Sequence, residues 1–312
     1  REIFPYLENI RIDSRMNIED ENIFCETVLP WLDNWINGQH DELTVTVKSK
    51  SVICAVNEIK NGKHIVGYLI ELRDNTQIQH YMDMINNYNE KLQNEVNVKT
   101  KQLQDIQDSI ISGMATMVES RDNSTGGHIK RTSAGVKLFV ERLLASKKYK
   151  EITPDFCERL IKAAPMHDLG KIAVDDAILR KPDKFTEDEY EKMKVHAVEG
   201  ARIVNEVLRN VDDKQFKTIA TNVAYYHHEH WDGEGYPNNL YREKIPLEAR
   251  IMAFADVFDA LVSKRCYKKA MSFDQAFSII KQDLGAQFDP ELGEYFLECR
   301  PELEALYTNL DE

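Results

Sequence analysis

The sequence predicts a multidomain protein with an N-terminal α/β domain, a coiled-coil linker helix and a C-terminal all-α helical domain. Three observations support this prediction. Residues 42–74 alternate apolar and polar side chains as strands do, residues 78–117 repeat apolar side chains with a heptad step, and the remainder is helical in pattern. The predicted boundaries, which suit the length of the chain, are residues 1–76, 77–117 and 118–312.

The first domain is predicted to contain an antiparallel sheet. Residues 42–59 and 64–74 have strand patterns, and the pair Asn61-Gly62 between them is typical of a tight hairpin turn. A sheet that ends in RDNTQIQ and runs into a long helix resembles the end of a PAS sensor domain, over about residues 40–76. The alternative is a small α/β domain of unspecified type.

The linker carries two seams of residues in heptad register, each with a polar interruption. One seam takes Met82, Asn89, Val96, Leu103, Ile110 and Met117. The other takes Ile78, Ile85, Leu92, Lys99, Ile106 and Gly113. This pattern predicts a parallel coiled coil and therefore a homodimer. The alternative is a single amphipathic helix that packs on its own domain.

Composition limits the functions that the chain can have. A formal net charge of -13 gives no overall positive field to gather nucleic acid. The five cysteines include no CxxC pair, which fits a reducing compartment and argues against a cysteine-ligated zinc site. Because no signal peptide or apolar run of membrane-spanning length is found, we expect a cytoplasmic protein, or the cytoplasmic part of a longer membrane-anchored one.

Histidines are concentrated in four motifs of the helical part: TGGHIKR, APMHDLGKI, MKVHAVEGARIV and YYHHEH. His167, His196 and His227 continue apolar stripes, which predicts that their side chains point inward. Asp256 lies in the apolar run AFADVFDAL, where a buried carboxylate must be paired or bind a ligand. A shared metal centre explains these features together, and the alternative is five separately satisfied polar sites. The candidate ligands are His128, His167, Asp168, His196, His227, His228 and Asp256.

The adjacent pair His227-His228 indicates more than one ion. Neighbouring residues on a helix splay by about 100°, so we expect the two imidazoles to serve different ions, with the two oxygens of Asp168 bridging them. Two ions about 3.5–4 Å apart can clamp a phosphoryl group. A ligand set with many histidines and no cysteine suits iron, zinc or nickel, and the carboxylates make manganese another candidate.

These motifs resemble those of a known enzyme family over about residues 116–300. HDLGK matches the signature of HD-domain metal phosphohydrolases, and HHEHWDGEGYP matches that of their HD-GYP subgroup. The resemblance implies an all-α domain that hydrolyses the bacterial second messenger cyclic di-GMP to pGpG and/or GMP with iron or manganese. It also implies control by the N-terminal sensor and GGDEF-type signalling partners. The alternatives are another cyclic dinucleotide as substrate, or a nucleotide-binding receptor with a slow site.

The resemblance also implies roles for individual residues. It makes the seven candidates metal ligands, with Asp168 as the bridge, and places Lys171 beside the scissile phosphate. Arg265 and Lys268 would hold substrate phosphates. Tyr236, in the GYP loop, is a substrate-binding candidate, and its alternative role is packing under that loop.

The chain departs from the family pattern just before its first histidine motif. Some members bind a third ion through a glutamate four residues before that histidine, and here the position is Ser124. Glu119 is a more distant candidate for this role. The departure favours two ions, and the resemblance to this family predicts iron or manganese.

Overall fold

A computed structural model describes residues 24–47, 50–122, 127–263 and 270–310. The chain divides into two compact units, residues 1–101 and 102–312. None of the described helices combines the length and apolar character that a membrane span requires. Three residues selected from the sequence lie outside the described residues: Ser124, Arg265 and Lys268.

The first unit contains the predicted antiparallel sheet. A π-helical turn (Phe24–Val28) and helix α1 (Leu29–Ile36) precede three strands in the order β1-β2-β3: Leu43–Val47, Lys50–Asn61 and His64–Asp74. Asn61 pairs with His64 across the turn, which confirms the predicted hairpin. Side chains of the first two strands and of the π-helical turn form a small apolar cluster, which consists of Val28, Val45, Val52 and Cys54. The PAS likeness stays a prediction.

The linker forms one continuous helix, α2 (Thr76–Glu119), of 44 residues. It contains no proline, and the Asp74 carboxylate accepts the N–H of Thr76 at its first turn. Near its end, α2 buries Ile111 and Ala115 in the core of the second unit. Most of the apolar seam side chains before that point are exposed in the single chain, and Leu103 retains 67% of its accessible surface.

Helices are the regular elements of the second unit over its described residues, as predicted. Two 3₁₀ helices, Ala164–Met166 and Leu169–Ala173, flank the HD pair, and a third covers Arg242–Lys244. The α-helices that follow α2 are α3 (His128–Ser146), α4 (Pro154–Ala163), α5 (Asp176–Leu179), α6 (Glu187–Val207), α7 (Lys214–Tyr226), α8 (Leu247–Val262), α9 (Phe273–Gln282), α10 (Pro290–Glu298) and α11 (Arg300–Leu310).

Helix α8 is largely buried within this unit. Its sequence is apolar nearly all round, and its side chains are buried on most sides, as expected of an internal helix. Phe254 of α8 packs against Phe139 of α3 and Phe296 of α10, with ring centroids 5.4 and 5.0 Å from its own. This aromatic core fixes α3 and α8 against each other, and both helices carry side chains of the site.

Candidate metal centre

The fold brings the seven predicted ligand residues together from five separate segments. His128 is the first residue of α3, and His167 and Asp168 lie between the first two 3₁₀ helices. The remaining members come from α6, from the end of α7 and from α8: His196, His227, His228 and Asp256.

Six of these residues form two clusters, and within each the possible ligand atoms lie within 4.8 Å of one another. We call His196, His227 and His228 the histidine cluster. We call His128, His167 and Asp256 the mixed cluster. The histidine cluster offers three nitrogen donors, and the mixed cluster offers two nitrogens and a carboxylate oxygen. Such closely spaced donors are what a bound ion requires.

Asp168 stands between the two clusters. Its Oδ2 lies 3.3 Å from Nε2 of His167 and 3.8 Å from Nε2 of His128. Its Oδ1 lies 3.7 Å from Nε2 of His196 and 3.9 Å from Nε2 of His227. One carboxylate oxygen therefore faces each cluster, which is the arrangement that a bridging ligand needs.

The expectation that His227 and His228 serve different ions was wrong in its geometry, because both lie in the histidine cluster. The 100° splay applies only within a helix. Helix α7 ends at Tyr226, His227 is its C-cap, and the chain turns there. The two rings consequently lie 4.1 Å apart between centroids, at an angle of 42°.

The hydrogen bonds of the imidazoles direct their Nε2 atoms toward the centre. Nδ1–H of His167 donates to the carbonyl of Ala164 at 2.8 Å, and that of His196 donates to Met193 at 2.7 Å. His227 makes the equivalent bond to the carbonyl of Val223 at 2.9 Å. Because a carbonyl can only accept, each Nδ1 carries a hydrogen, and in the neutral imidazole Nε2 then keeps its lone pair for a metal.

The facing nitrogen atoms indicate a place for a cation. Nε2 of His128 lies 3.1 Å from Nε2 of His167, and Nε2 of His196 lies 3.4 Å from Nε2 of His227. Two lone pairs at such distances repel each other unless a positive charge is shared between them. The donor set of imidazole nitrogens and carboxylate oxygens therefore fits transition-metal ions.

The histidine cluster is held in its neutral form. Burial, together with the neighbouring His167 and His196, lowers the pKa of His227 to about 3. Burial also lowers the pKa of His196 and holds that of His228 well below its usual range. Neutral imidazole is the form in which histidine binds a metal.

The mixed cluster instead attracts positive charge. Burial opposes a charge on His167, but the carboxylates of Asp168 and Asp256 outweigh it and raise the pKa of His167 to about 9. Burial would raise the pKa of Asp168, yet Lys171 and His167 hold it well below its usual range. The two carboxylates thus favour a proton or a cation at this position.

Lys171 lies at the edge of the centre. Its Nζ is 2.8 Å from Oδ2 of Asp168 and 3.2 Å from Oδ2 of Asp122. Burial opposes the ammonium charge, but the two carboxylates outweigh it and hold the pKa of Lys171 above its usual range. The side chain is therefore a fixed positive charge next to the residue that faces both clusters.

Two glycines permit the close contacts around the centre. A Cβ on Gly170 would lie 1.8 Å from the carbonyl oxygen of His196, so the turn after Asp168 can lie directly against α6. A Cβ on Gly235 would lie 2.2 Å from the backbone nitrogen of His230. Both positions require glycine because neighbouring backbone atoms leave no space for a side chain.

The loop that contains GYP is fixed against the histidine cluster. The ring of Tyr236 stacks on His228, with centroids 4.8 Å apart and an interplanar angle of 30°. The buried carboxylate of Glu229 accepts the backbone N–H groups of Asn238 at 2.7 Å and Leu240 at 2.8 Å. The tyrosine thus lies at the site, and the loop depends on a buried glutamate.

Three acidic residues at the site were not assigned from the sequence: Asp122, Glu229 and Asp259. Asp259 accepts Nδ1–H of His128 at 2.7 Å, and its spacing of three residues from Asp256 on one helix was an available signal. The position of Glu229 directly after the histidine pair was another. Glu119, a distant candidate for an additional ligand, accepts the backbone N–H of His128 at 2.8 Å.

Comparison with known proteins identifies the family. A model of the HD domain matches residues 113–292. A cyclic di-GMP phosphodiesterase of Vibrio cholerae serotype O1 is 43% identical over 66% of this chain and 42% of its own length. A probable cyclic di-GMP phosphodiesterase of the same organism is 39% identical over 73% of this chain and 53% of its own.

A third relative carries a different substrate in its name. The 3'3'-cGAMP-specific phosphodiesterase 2 of Vibrio cholerae serotype O1 is 36% identical over 67% of this chain and 38% of its own length. The chain therefore spans about half or less of the length of these three relatives.

Proposed function

The chain belongs to the HD-domain family, and from that premise we propose that it is a metal-dependent phosphodiesterase that hydrolyses cyclic di-GMP to pGpG and/or GMP. The observation that carries the proposal is the position of Asp168. Its oxygens face two clusters of metal-type donors, and it contacts the ammonium group of Lys171. The two relatives named as actual or probable cyclic di-GMP phosphodiesterases support the choice of substrate.

The centre would hold two ions, iron or manganese, one at each cluster. When bound, such ions supply Lewis acidity to the phosphoryl group and lower the pKa of water. The ligand residues orient their donors through the hydrogen bonds of Nδ1, so little reorganisation is needed. We assign the bridging position to Asp168, which is the one candidate ligand with oxygens directed to both clusters.

Lys171 would stabilise negative charge on the substrate. The raised pKa makes its ammonium group a poor proton donor at neutral pH, so electrostatic stabilisation fits better than acid catalysis. Its contact with Asp168 keeps the charge at the centre. The proposed phosphate contacts Arg265 and Lys268 would add local positive charge to a chain whose net charge is -13.

Tyr236 is proposed as a substrate contact beside the metals. Its ring lies on His228, and Nζ of Lys194 lies 5.6 Å from the ring centroid. Lys194 also lies 4.8 Å from the ring centroid of Tyr190, which is 46% exposed. An aromatic surface with an adjacent cation suits a nucleotide, which has an aromatic base and an anionic phosphate.

Assembly and control form a further part of the proposal. The exposed seam of α2 supports pairing of two chains into a parallel coiled coil, and thereby a homodimer. Residues 1–76 would act as the PAS-like sensor, residues 77–117 as the linker and residues 118–312 as the enzyme. GGDEF-type proteins, which the family resemblance implies, would be signalling partners.

The test is a turnover assay on the purified chain, loaded with iron or manganese. Cyclic di-GMP and 3'3'-cGAMP are supplied separately, and products are separated by chromatography. We expect pGpG or GMP from cyclic di-GMP, no product after metal removal, and recovery when metal is restored. Faster hydrolysis of 3'3'-cGAMP would favour the second substrate, which the third relative supports. Binding without hydrolysis by the fully loaded protein would instead indicate a receptor.

A further inference from the structure

One buried carboxylate contacts the centre without belonging to either cluster. Asp259 of α8 is 1% exposed. Its Oδ2 lies 2.7 Å from Nδ1 of His128, and its Oδ1 accepts Nε–H of Arg131 at 2.6 Å and the hydroxyl of Ser263 at 3.0 Å. A carboxylate in this interior is stable because each oxygen has a polar partner.

This contact distinguishes His128 from the other histidines. His167, His196 and His227 donate Nδ1–H to neutral backbone carbonyls, whereas His128 donates to a charged carboxylate. A hydrogen bond to an ionised acceptor is stronger than one to a neutral acceptor. It also makes the imidazole more basic, and a more basic Nε2 binds a metal more tightly.

The two clusters therefore differ in charge. The mixed cluster contains the carboxylate of Asp256 and a histidine backed by Asp259. The histidine cluster contains three imidazoles, of which His196 and His227 donate to backbone carbonyls. An ion with two or more positive charges is attracted more strongly by the mixed cluster.

We propose that Asp259 is a positioning residue that, through His128, raises the affinity of the mixed cluster for its ion above that of the histidine cluster. Arg131, which lies on α3 three residues after His128, donates to both oxygens of Asp259 and holds the carboxylate in place. The two ions would then bind in order, with the mixed cluster filled first. This inference rests on the proposed metal centre and not on the identity of the substrate.

The chain supplies a matched control for testing Asp259. Asp289 is 4% exposed, and its carboxylate accepts a hydrogen bond from Arg250 at 2.6 Å and caps α10. It resembles Asp259 in burial and in having an arginine partner, but no histidine bond is part of its described contacts. Asp289→Asn therefore reproduces the loss of a buried aspartate charge without changing a proposed metal ligand.

The experiment measures Mn²⁺ content and affinity by competition with a chelator. Wild-type protein should bind two ions with unequal affinities. Asp259→Asn should weaken the tighter ion by about 10–100-fold and leave the weaker one unchanged. Asp289→Asn should retain both affinities, and circular dichroism with thermal unfolding should show whether each variant is folded.

A double-mutant cycle tests the route through His128. His128→Ala removes the imidazole on which Asp259 acts, so adding Asp259→Asn should cause no further loss of Mn²⁺ affinity. A further loss would overturn the proposed route. Unchanged affinities in Asp259→Asn, or an equal loss in Asp289→Asn, would overturn the inference while leaving the metal centre intact. A wild-type protein that binds no Mn²⁺ would overturn the metal centre as well.

Discussion

At the scale of single residues, Asp168 and Lys171 contact each other but have different proposed roles. Asp168→Asn keeps the size of the side chain and removes the charge that faces both clusters. Metal content and turnover should therefore fall together. Elemental analysis and the turnover assay check this expectation, and a variant that retains two ions would contradict the bridging role.

Lys171→Ala should separate metal binding from turnover. The variant loses a positive charge beside Asp168 but no proposed ligand, so it should keep both ions while kcat falls about 10²–10³-fold. Lys192→Ala is the control for removing a lysine, since Lys192 is exposed on α6 and pairs with Asp188 at the surface. Metal loss in Lys171→Ala alone would show that its role is structural.

The residues that gather at the centre could be predicted from the sequence, but their supporting partners could not. His196 and Asp256 interrupt apolar helix faces, and that local pattern signals an inward polar group. Asp259 is equally inward, yet its partners His128 and Arg131 are more than 120 positions away in the chain. Only the packing of α3 on α8 reveals that it supports a histidine.

At the scale of elements, the end of α7 explains why the direction of His227 could be predicted from the sequence and that of His228 could not. The stripe that leads to His227 continues to the last turn, so its inward direction was predictable. His228 follows the helix end, where helical spacing no longer determines direction. Its place in the histidine cluster depends on the turn and on Tyr236, which stacks on it.

The loop after α7 should depend on Glu229. Glu229→Gln leaves one oxygen to accept bonds from the N–H groups of Asn238 and Leu240, which the carboxylate binds with separate oxygens. Losing one charged acceptor in the interior lowers the free energy of unfolding by about 1–3 kcal/mol. Hydrogen exchange of residues 231–242, followed by mass spectrometry, should become faster in the variant.

Glu234→Gln provides the control, because this exposed glutamate lies in the same loop. It should leave the hydrogen exchange of the loop unchanged. Equal protection of the loop in wild type and Glu229→Gln would contradict the anchoring role of the buried glutamate.

At the scale of the whole molecule, the sequence predicted the order of sheet, long helix and helical unit. Local patterns were enough to predict this order, because the alternation of apolar and polar residues in strands, the heptad spacing and the helical periodicity each repeat over many residues. The seam of α2 is exposed in the single chain, and its pairing with a second copy stays a prediction. Exposed apolar side chains along the seam, such as Ile85 and Leu103, are typical of a helix that pairs with another helix.

Asn89→Val should strengthen the association of two chains. In the proposed coiled coil, Asn89 meets its counterpart across the seam, where a buried asparagine specifies register at a cost in stability. Replacing it with valine should tighten dimerisation by roughly tenfold or more. Asn87→Val, outside the two seams, is the matched control and should have little effect. Light scattering at micromolar concentration checks both, and a monomeric wild type would contradict the coiled coil.

In the proposed centre, one carboxylate joins two metal positions within the helical unit. Anomalous diffraction from crystals grown with Mn²⁺ locates such ions. We expect two peaks, one among His128, His167 and Asp256 and the other among His196, His227 and His228. Asp168 should bind both ions. A single peak, or two peaks without Asp168 between them, would rule out the bridged two-metal centre.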